Sequence, residues 1–344
     1  MVSGRFEAIP EVRELVKVSS WLAQKGWSEA GSGNISVRFD RLPSVLDELK
    51  PGQFRRLPLV ASRLGDRYLL VTATGSRARE MEAELERGVG LFHVMHGGEE
   101  MECLWGNPEA TSELAAHVAI QQKLVEIRPE DRAVLHTHPG NLIALTHLPR
   151  MQDSRAISEA LLGMQSEAHM LFPDGLRYVP YSTPGSVELG RRSAEALERA
   201  RVLFWHMHGA VATGESLSRA LDYLEYIDKM AEIFWILRSG GVHPRGMRSD
   251  DIESSLKYFN LWDRHLQSMS TLERLLNAEF GIASRPRRLA QPRWRDPWAR
   301  MRIMHGMALP PKRRAASVRP RGGPRTCPRS PLGNSWISPA KPCS

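Results

Sequence analysis

The sequence predicts a mixed fold, α/β or α+β, in one large domain over residues 1–283, followed by a basic tail over residues 284–344. Two observations support this prediction. Helical and strand-like apolar periods alternate along the first segment, and the composition changes near Ser284. When such elements alternate, helices normally pack on the faces of a sheet. A segment of this length can bury one sizeable core.

Apolar residues recur with helical spacing in some segments and form shorter strand-like runs in others. The predicted helices are residues 12–25, 111–127 and 217–239. The predicted strands are residues 34–39, 68–72, 133–138 and 201–208. Gly26 and Gly240 follow two of the helices as stop signals, and Thr111 or Ser112 is expected to be the N-cap of another.

The charge distribution separates the tail from the domain. The whole chain has a net charge of +8, but residues 285–344 contain 15 Lys and Arg residues and one acidic residue, a net charge of +14. The rest of the chain therefore carries a net charge of −6. This negative charge argues against nucleic-acid binding by the domain. The tail is rich in Pro, Gly, Arg and Ser and is predicted to be disordered. It is either a polyanion-binding arm or a dispensable extension.

The sequence also bears on the compartment. It contains no run of about 18 apolar residues that would span a bilayer. Charged residues interrupt the first 21 positions, so the apolar core of a signal peptide is missing. The three cysteines form no CxxC pair. We therefore expect a cytoplasmic protein without a thiolate metal site.

Two His-x-His pairs, His136 with His138 and His206 with His208, each end an apolar run. Because residues i and i+2 of a strand face the same side, each pair would project two imidazoles together. Imidazoles suit Zn²⁺ and other borderline divalent cations. Spacing alone leaves open whether three or four histidines bind, or whether the pairs are merely polar strand residues. Other histidines, such as His117, are interpreted as structural or surface residues.

Two carboxylates are candidates for proton transfer beside such a metal. Glu113 lies in the first turn of the predicted helix over residues 111–127, where it is either a catalytic group or a residue that stabilises the helix dipole. Glu167 precedes an apolar run and is either a second functional carboxylate or a solvated loop residue.

Three turns of small residues are candidates for phosphate binding through exposed backbone N–H groups. They are residues 31–34, residues 72–75 and the pair Thr111-Ser112. Each turn alone is weak evidence, because turns of this kind are common connectors. Neither the P-loop pattern nor the dinucleotide fingerprint occurs in the chain.

With these segments in order, the chain resembles the class II aldolase/adducin family over roughly residues 10–283. The matching motifs are Ser32-Gly33-Asn34, Thr72-Ala73-Thr74-Gly75, Thr111-Ser112-Glu113-Leu114, His136-Thr137-His138-Pro139 and His208-Gly209. The resemblance implies a central, largely antiparallel sheet flanked by helices. It also implies a homotetramer whose active sites lie at subunit interfaces.

The resemblance further implies a role for each candidate residue. One Zn²⁺ per subunit is expected at His136, His138 and His208, which leaves His206 out. Glu113 and Glu167 are the expected catalytic carboxylates. The expected phosphate-binding residues are Asn34, Thr74, Gly75, Thr111 and Ser112.

The implied activity is cleavage of a ketose 1-phosphate to dihydroxyacetone phosphate and an aldehyde through a zinc-stabilised enediolate. Further matches favour L-rhamnulose 1-phosphate, with L-lactaldehyde as the aldehyde. These matches are Trp21-Leu22, Gly26-Trp27, Leu104-Trp105-Gly106, residues 141–146 and Phe172-Pro173-Asp174-Gly175. Other reactions known in the family stay open, namely fuculose-phosphate cleavage, ribulose-phosphate epimerisation and methylthioribulose-phosphate dehydration. A non-catalytic, adducin-like scaffold is the alternative from another class of protein.

Overall fold

The computed structural model describes residues 6, 8–43, 46, 49, 52–263 and 265. The tail predicted over residues 284–344 lies outside the described residues, so its disorder and its possible binding to polyanions stay predictions. None of the described helices combines the length and the apolar composition that a bilayer crossing requires.

A nine-stranded sheet forms the centre of the described chain. The strands are β1 (Asn34–Phe39), β2 (Phe54–Arg56), β3 (Tyr68–Thr72), β4 (Val89–Val94), β5 (Glu100–Gly106), β6 (Ala133–Thr137), β7 (Arg177–Val179), β8 (Val202–Trp205) and β9 (Gly209–Gly214). Their spatial order is β2-β5-β4-β3-β1-β6-β9-β8-β7. Neighbours are antiparallel except for β7 and β8. The largely antiparallel sheet that the family resemblance implies is therefore confirmed.

Helices flank this sheet. They are α1 (Pro10–Lys25), α2 (Leu85–Gly88), α3 (Leu114–Ile127), α4 (Gly140–Thr146), α5 (Ser154–Leu162), α6 (Ala168–Leu171), α7 (Val187–Leu197), α8 (Leu217–Ser239) and α9 (Ser249–Tyr258). Strand β8 shows how the two faces are filled, because alternate residues of a strand point to opposite sides. Phe204 packs in the cluster that contains Leu224 of α8, whereas Trp205 packs with Ile120 of α3 and Leu189 of α7.

Strand β1 is buried along its whole length, yet every second residue is polar. Ile35 and Val37 belong to the main apolar cluster, together with residues of α1 and α8. Asn34, Ser36 and Arg38 point to the opposite face and form hydrogen bonds with residues of α3 or the residue just before it. This polar face of β1 lies directly behind the candidate site.

Helix α3 begins at Leu114, so the prediction that Thr111 or Ser112 is its N-cap is wrong. Glu113 occupies the N-cap position, and its side chain makes no capping hydrogen bond. The cause lies in the sheet, because the N–H of Thr111 donates to the carbonyl oxygen of Thr72 at 2.9 Å. This bond ties Thr111 to β3, and the chain then turns at residues 112 and 113 into the helix, where the N–H of Leu114 donates to the carbonyl oxygen of Thr111 at 3.1 Å. The Glu113 carboxylate is thus left for partners other than the helix backbone.

Candidate metal centre

His136, His138 and His208 lie together although they come from two separate segments of the chain. One candidate ligand nitrogen from each residue lies within 4.8 Å of the other two. The Nε2 atoms of His136 and His138 are 3.2 Å apart. Among the histidine, cysteine and acidic side chains of the described residues, the group whose geometry could hold a metal ion consists of these three histidines.

Pairing of β6 with β9 brings the two segments together. Thr137, the last residue of β6, is opposite Ala210 near the start of β9. Gly209 then passes so close to β6 that a Cβ atom would lie 2.9 Å from His136 Cε1 and 2.9 Å from His138 Cδ2. Both imidazoles can therefore take these positions only beside a residue without a side chain.

We expect G209A to lower metal retention and activity, because the added methyl group displaces two imidazoles. Overpacking of this kind also costs about 1–3 kcal/mol of stability. Metal content after dialysis and the free energy of unfolding measure the two effects. G97A is the matched control, since a Cβ at Gly97 meets nothing within 4 Å. Equal metal retention in the two variants would contradict the close packing described for Gly209.

The second His-x-His pair does not act as a pair. Strand β8 ends at Trp205, so His206 and His208 lie in the turn that leads to β9, not on a strand as predicted. Met207 between them has a φ of 52°, which turns the chain sharply. His206 Nδ1 lies 2.8 Å from the hydroxyl of Tyr178, and only His208 joins the cluster.

Burial lowers the pKa of two of these imidazoles, His136 and His208. It lowers the pKa of His136 far below the ordinary histidine value, and the neighbouring His138 and His208 lower it further. Burial, with a smaller contribution from His138, lowers the pKa of His208 to about 4. His136 Nδ1 donates to the carbonyl oxygen of Ala210 at 3.0 Å, which leaves the lone pair on Nε2. Neutral imidazoles with free Nε2 lone pairs fit a divalent cation.

Residues around the cluster hold the rings in place. The indole of Trp205 lies against both His136 and His208, with ring centroids 4.3 and 5.1 Å apart, and donates from Nε1 to Ser193 Oγ at 2.9 Å. Glu29 Oε1 is 3.3 Å from His138 Nδ1, the nitrogen that points away from the cluster. A carboxylate behind a metal-binding histidine orients the ring and increases its basicity.

Glu113, for which the family resemblance implies a catalytic role, lies in contact with the cluster. Oε2 is 3.3 Å from His136 Nε2, and Oε1 is 3.3 Å from His208 Nε2. Asn34 Nδ2 donates to Oε2 at 2.9 Å. Burial raises the pKa of Glu113, and the Asn34 hydrogen bond opposes that rise. A carboxyl group with a raised pKa exchanges a proton more readily near neutral pH.

The hydrogen bonds of the Glu167 side chain are with residues outside the histidine cluster. Glu167 precedes the short helix α6 and is exposed. Its carboxylate accepts hydrogen bonds from Ser166 Oγ at 2.8 Å and from the Tyr226 hydroxyl at 3.4 Å. Its catalytic role therefore stays a prediction.

The three turns of small residues lie next to one another. A Cβ at Gly31 would be 3.0 Å from the carbonyl oxygen of Ser76 and 3.4 Å from that of Gly75. The segment before α3 is also joined to the second turn, because the N–H of Thr74 donates to the carbonyl oxygen of Glu109 at 2.9 Å. That N–H is thus already paired, which leaves the Thr74 hydroxyl and the N–H of Gly75 for an anion.

Asn34 has a different environment from the other expected phosphate ligands. Its amide group is buried, and both ends of it are engaged, Nδ2 with Glu113 and Oδ1 with His117. One N–H of Nδ2 is taken by Glu113, so a side-chain contact with a phosphate would have to use the other N–H of the same nitrogen. The phosphate-binding role of Asn34, like those of Thr111 and Ser112, stays a prediction.

Residues 13–235 match the family model described as Class II Aldolase and Adducin N-terminal domain. This match covers more than half of the chain. The chain belongs to the class II aldolase and adducin family. The histidine cluster, Glu113 and the three turns all lie within the matched residues.

Individual relatives extend this comparison within the class II aldolase and adducin family. Rhamnulose-1-phosphate aldolase from Enterococcus faecalis is 32% identical over 240 residues, which cover 68% of this chain and 85% of the relative. The enzyme of the same name from Listeria innocua is 30% identical over 236 residues, covering 67% and 86% of the two chains. The crystal structure of a sugar-phosphate aldolase from Thermotoga maritima is 38% identical, with a TM-score of 0.62, and covers 69% of this chain and 98% of its own.

Proposed function

We propose that this chain is a metal-dependent aldolase that cleaves L-rhamnulose 1-phosphate to dihydroxyacetone phosphate and L-lactaldehyde. The observation that carries the proposal is the cluster of three imidazoles, His136, His138 and His208, two of which contact the buried carboxylate of Glu113. Membership of the class II aldolase and adducin family supports an aldolase, and the names of the relatives supply the substrate.

We assign His136, His138 and His208 as the ligands of one Zn²⁺ per subunit. Three protein ligands with nitrogen donors are typical of catalytic zinc sites, which keep a position for substrate. The cation would supply a Lewis acid for the negative charge that cleavage leaves on the ketose oxygens. The protein's own part is to fix the rings through Trp205 and Glu29.

Cleavage breaks the bond between C3 and C4 of the ketose and moves two protons. The electron pair of that bond passes towards the C2 carbonyl, the C4 hydroxyl loses its proton, and C3 gains one. We assign the proton at C3 to Glu113, which lies in contact with the metal-binding rings. We assign the aldehyde-side oxygen to Glu167. Acid–base help of this kind contributes roughly 10²–10⁴-fold to the rate.

For the phosphate group we propose the turns that contain Asn34, Thr74, Gly75, Thr111 and Ser112. Their mutual proximity supports this, because a phosphate needs several donors around one point. We further propose a homotetramer with active sites at subunit interfaces. The exposure of Glu167, whose hydrogen bonds are with Ser166 and Tyr226, fits a carboxylate that acts in a site shared between subunits.

The test is an assay of several sugar phosphates with a coupled readout for dihydroxyacetone phosphate. L-Rhamnulose 1-phosphate should give the highest kcat/KM, a chelator should abolish turnover, and added Zn²⁺ should restore it. L-Fuculose 1-phosphate, a ribulose phosphate and a methylthioribulose phosphate are assayed in parallel, the last two for epimerisation and dehydration. Faster turnover of any of these would replace the proposed substrate. Turnover that survives metal removal would reject the mechanism.

A further inference from the structure

A buried strip of polar side chains lies behind Glu113, between β1 and α3. Its members are Asn34, Ser36 and Arg38 of β1, with Glu113, His117 and Gln121, each at most 9% exposed. Two residues of a strand advance about 6.7 Å, and four residues of a helix advance about 6 Å. The two series therefore stay in step, and each polar residue of one element meets a polar residue of the other.

The hydrogen bonds in this strip have a fixed direction at the Arg38 end. A guanidinium group has only donors, so Arg38 Nη1 donates to Gln121 Oε1, at 3.2 Å. Gln121 Nε2 consequently donates, to Ser36 Oγ at 3.0 Å and to the carbonyl oxygen of Arg132 at 3.0 Å. Ser36 Oγ accepts this bond and keeps its own proton available for His117 Nδ1, 2.8 Å away.

The Glu113 end requires the same direction. A carboxylate has only acceptors, so Asn34 presents Nδ2 to Glu113 and Oδ1 to His117. His117 Nε2, 2.6 Å from that oxygen, must therefore be the donor. The Glu113 end therefore assigns the tautomer of His117, protonated on Nε2 and unprotonated on Nδ1, and the Ser36 hydroxyl is able to donate to that Nδ1. Burial, which lowers the pKa of His117 to about 3, keeps the ring neutral.

We propose that His117 is a positioning residue for Glu113, acting through Asn34 at the end of a hydrogen-bond chain that begins at Arg38. The chain holds Oε2 in place and leaves Oε1, which faces His208, to carry the proton that moves in the reaction. The inference rests on the acid–base role proposed above for Glu113. Paired members of a buried polar network rigidify one another, and Asn34, Ser36, His117 and Gln121 are each paired here.

A matched pair of variants separates this role from mere packing. The amide of H117Q replaces Nε2 and can still donate to Asn34, whereas the shorter amide of H117N replaces Nδ1 and reaches only Ser36. With L-rhamnulose 1-phosphate we expect H117Q to keep kcat within a few-fold of the wild type. H117N should lose roughly 10–100-fold in kcat, as for other outer-sphere partners, with KM and metal content unchanged. Equal kcat values in the two variants, or a change confined to KM, would overturn the proposal.

The tautomer provides a test that does not depend on turnover. Solid-state NMR of protein labelled with ¹⁵N in its histidine rings should show His117 protonated on Nε2, and H117Q identifies the signal by removing it. Protonation on Nδ1 would overturn the inference whatever the enzyme cleaves. If the wild type cleaves no ketose 1-phosphate, the proposed function fails. The tautomer of His117 then decides by itself whether the hydrogen-bond chain from Arg38 to Glu113 is present.

S36A is a second variant, which tests the proposal if neither His117 variant folds. It keeps the imidazole and removes only the hydroxyl that donates to Nδ1. We expect His117 to keep its proton on Nε2, because Asn34 Oδ1 still accepts from it. The kcat should fall at unchanged KM, because Nδ1 has lost its partner and the ring is held at one end only. Wild-type kcat in S36A, or a His117 ring protonated on Nδ1, would overturn the proposal.

Discussion

E113Q should lower kcat for cleavage of L-rhamnulose 1-phosphate by about 10²–10⁴-fold, the usual contribution of a general acid–base group. Glutamine keeps the shape of the side chain and can still accept the hydrogen bond from Asn34. It cannot exchange a proton at the reacting carbon. Metal content should stay at the wild-type level, because the three histidines are unchanged. Single-turnover kinetics and elemental analysis of the same preparation measure both quantities.

E126Q is the matched control for this substitution. Glu126 belongs to the same helix, α3, and its side chain is 42% exposed and paired with Arg63 and Lys123. Surface pairs of this kind contribute little to stability, so activity should not change. If E113Q cleaves the substrate at the wild-type rate, Glu113 is a structural residue and the acid–base assignment is wrong. If it loses the metal as well, its main role is to support the cation.

The sequence was informative where one local pattern decides the structure. The alternation of residues 34–39 predicted β1, and the short apolar runs within residues 68–72 and 133–138 predicted β3 and β6. The pair His136 and His138 followed from the two-residue period of a strand, although β6 ends at Thr137 and His138 lies just beyond it. The partner of that pair did not follow, because it depends on a turn geometry that periodicity does not encode.

The turn at Met207 illustrates what sequence patterns miss. A positive φ at a residue other than glycine is uncommon, and nothing in the sequence signals it. The hydrogen bond that stabilises this turn also joins distant segments, because the N–H of Met207 donates to Thr146 Oγ1 at 2.9 Å. Tertiary packing therefore places His208, and not His206, beside His136 and His138. Only the family resemblance had implied this difference.

His117 is buried and hydrogen-bonded, as expected of a structural residue, but its place in the polar strip was not predicted. A single buried histidine is usually a structural residue, and the spacing of Glu113, His117 and Gln121 becomes meaningful only beside Asn34, Ser36 and Arg38. The two polar series were visible in the sequence, one with a period of two and the other with a period of four. Their pairing depends on α3 packing against β1, which periodicity in either element does not specify.

H208A should lose most of its metal and, with it, most of its activity. The substitution removes one of three nitrogen ligands and leaves His136 and His138, which are too few for a stable site. The loss of affinity should exceed the roughly 10–100-fold that removal of an outer-sphere partner causes. Metal content after dialysis against a weak chelator and kcat/KM at increasing Zn²⁺ concentration measure it. High Zn²⁺ should restore part of the activity if Glu113 is intact.

H206A is the control that makes this result specific, because it removes a histidine from the same turn, two residues away. His206 is held by the Tyr178 hydroxyl and lies outside the cluster, so its loss should leave metal content and activity unchanged. Equal metal loss in H206A and H208A would mean that all four histidines support the site. Full metal retention in H208A would mean that the three imidazoles do not share one cation, and the mechanism proposed for Glu113 would lose its electrophile.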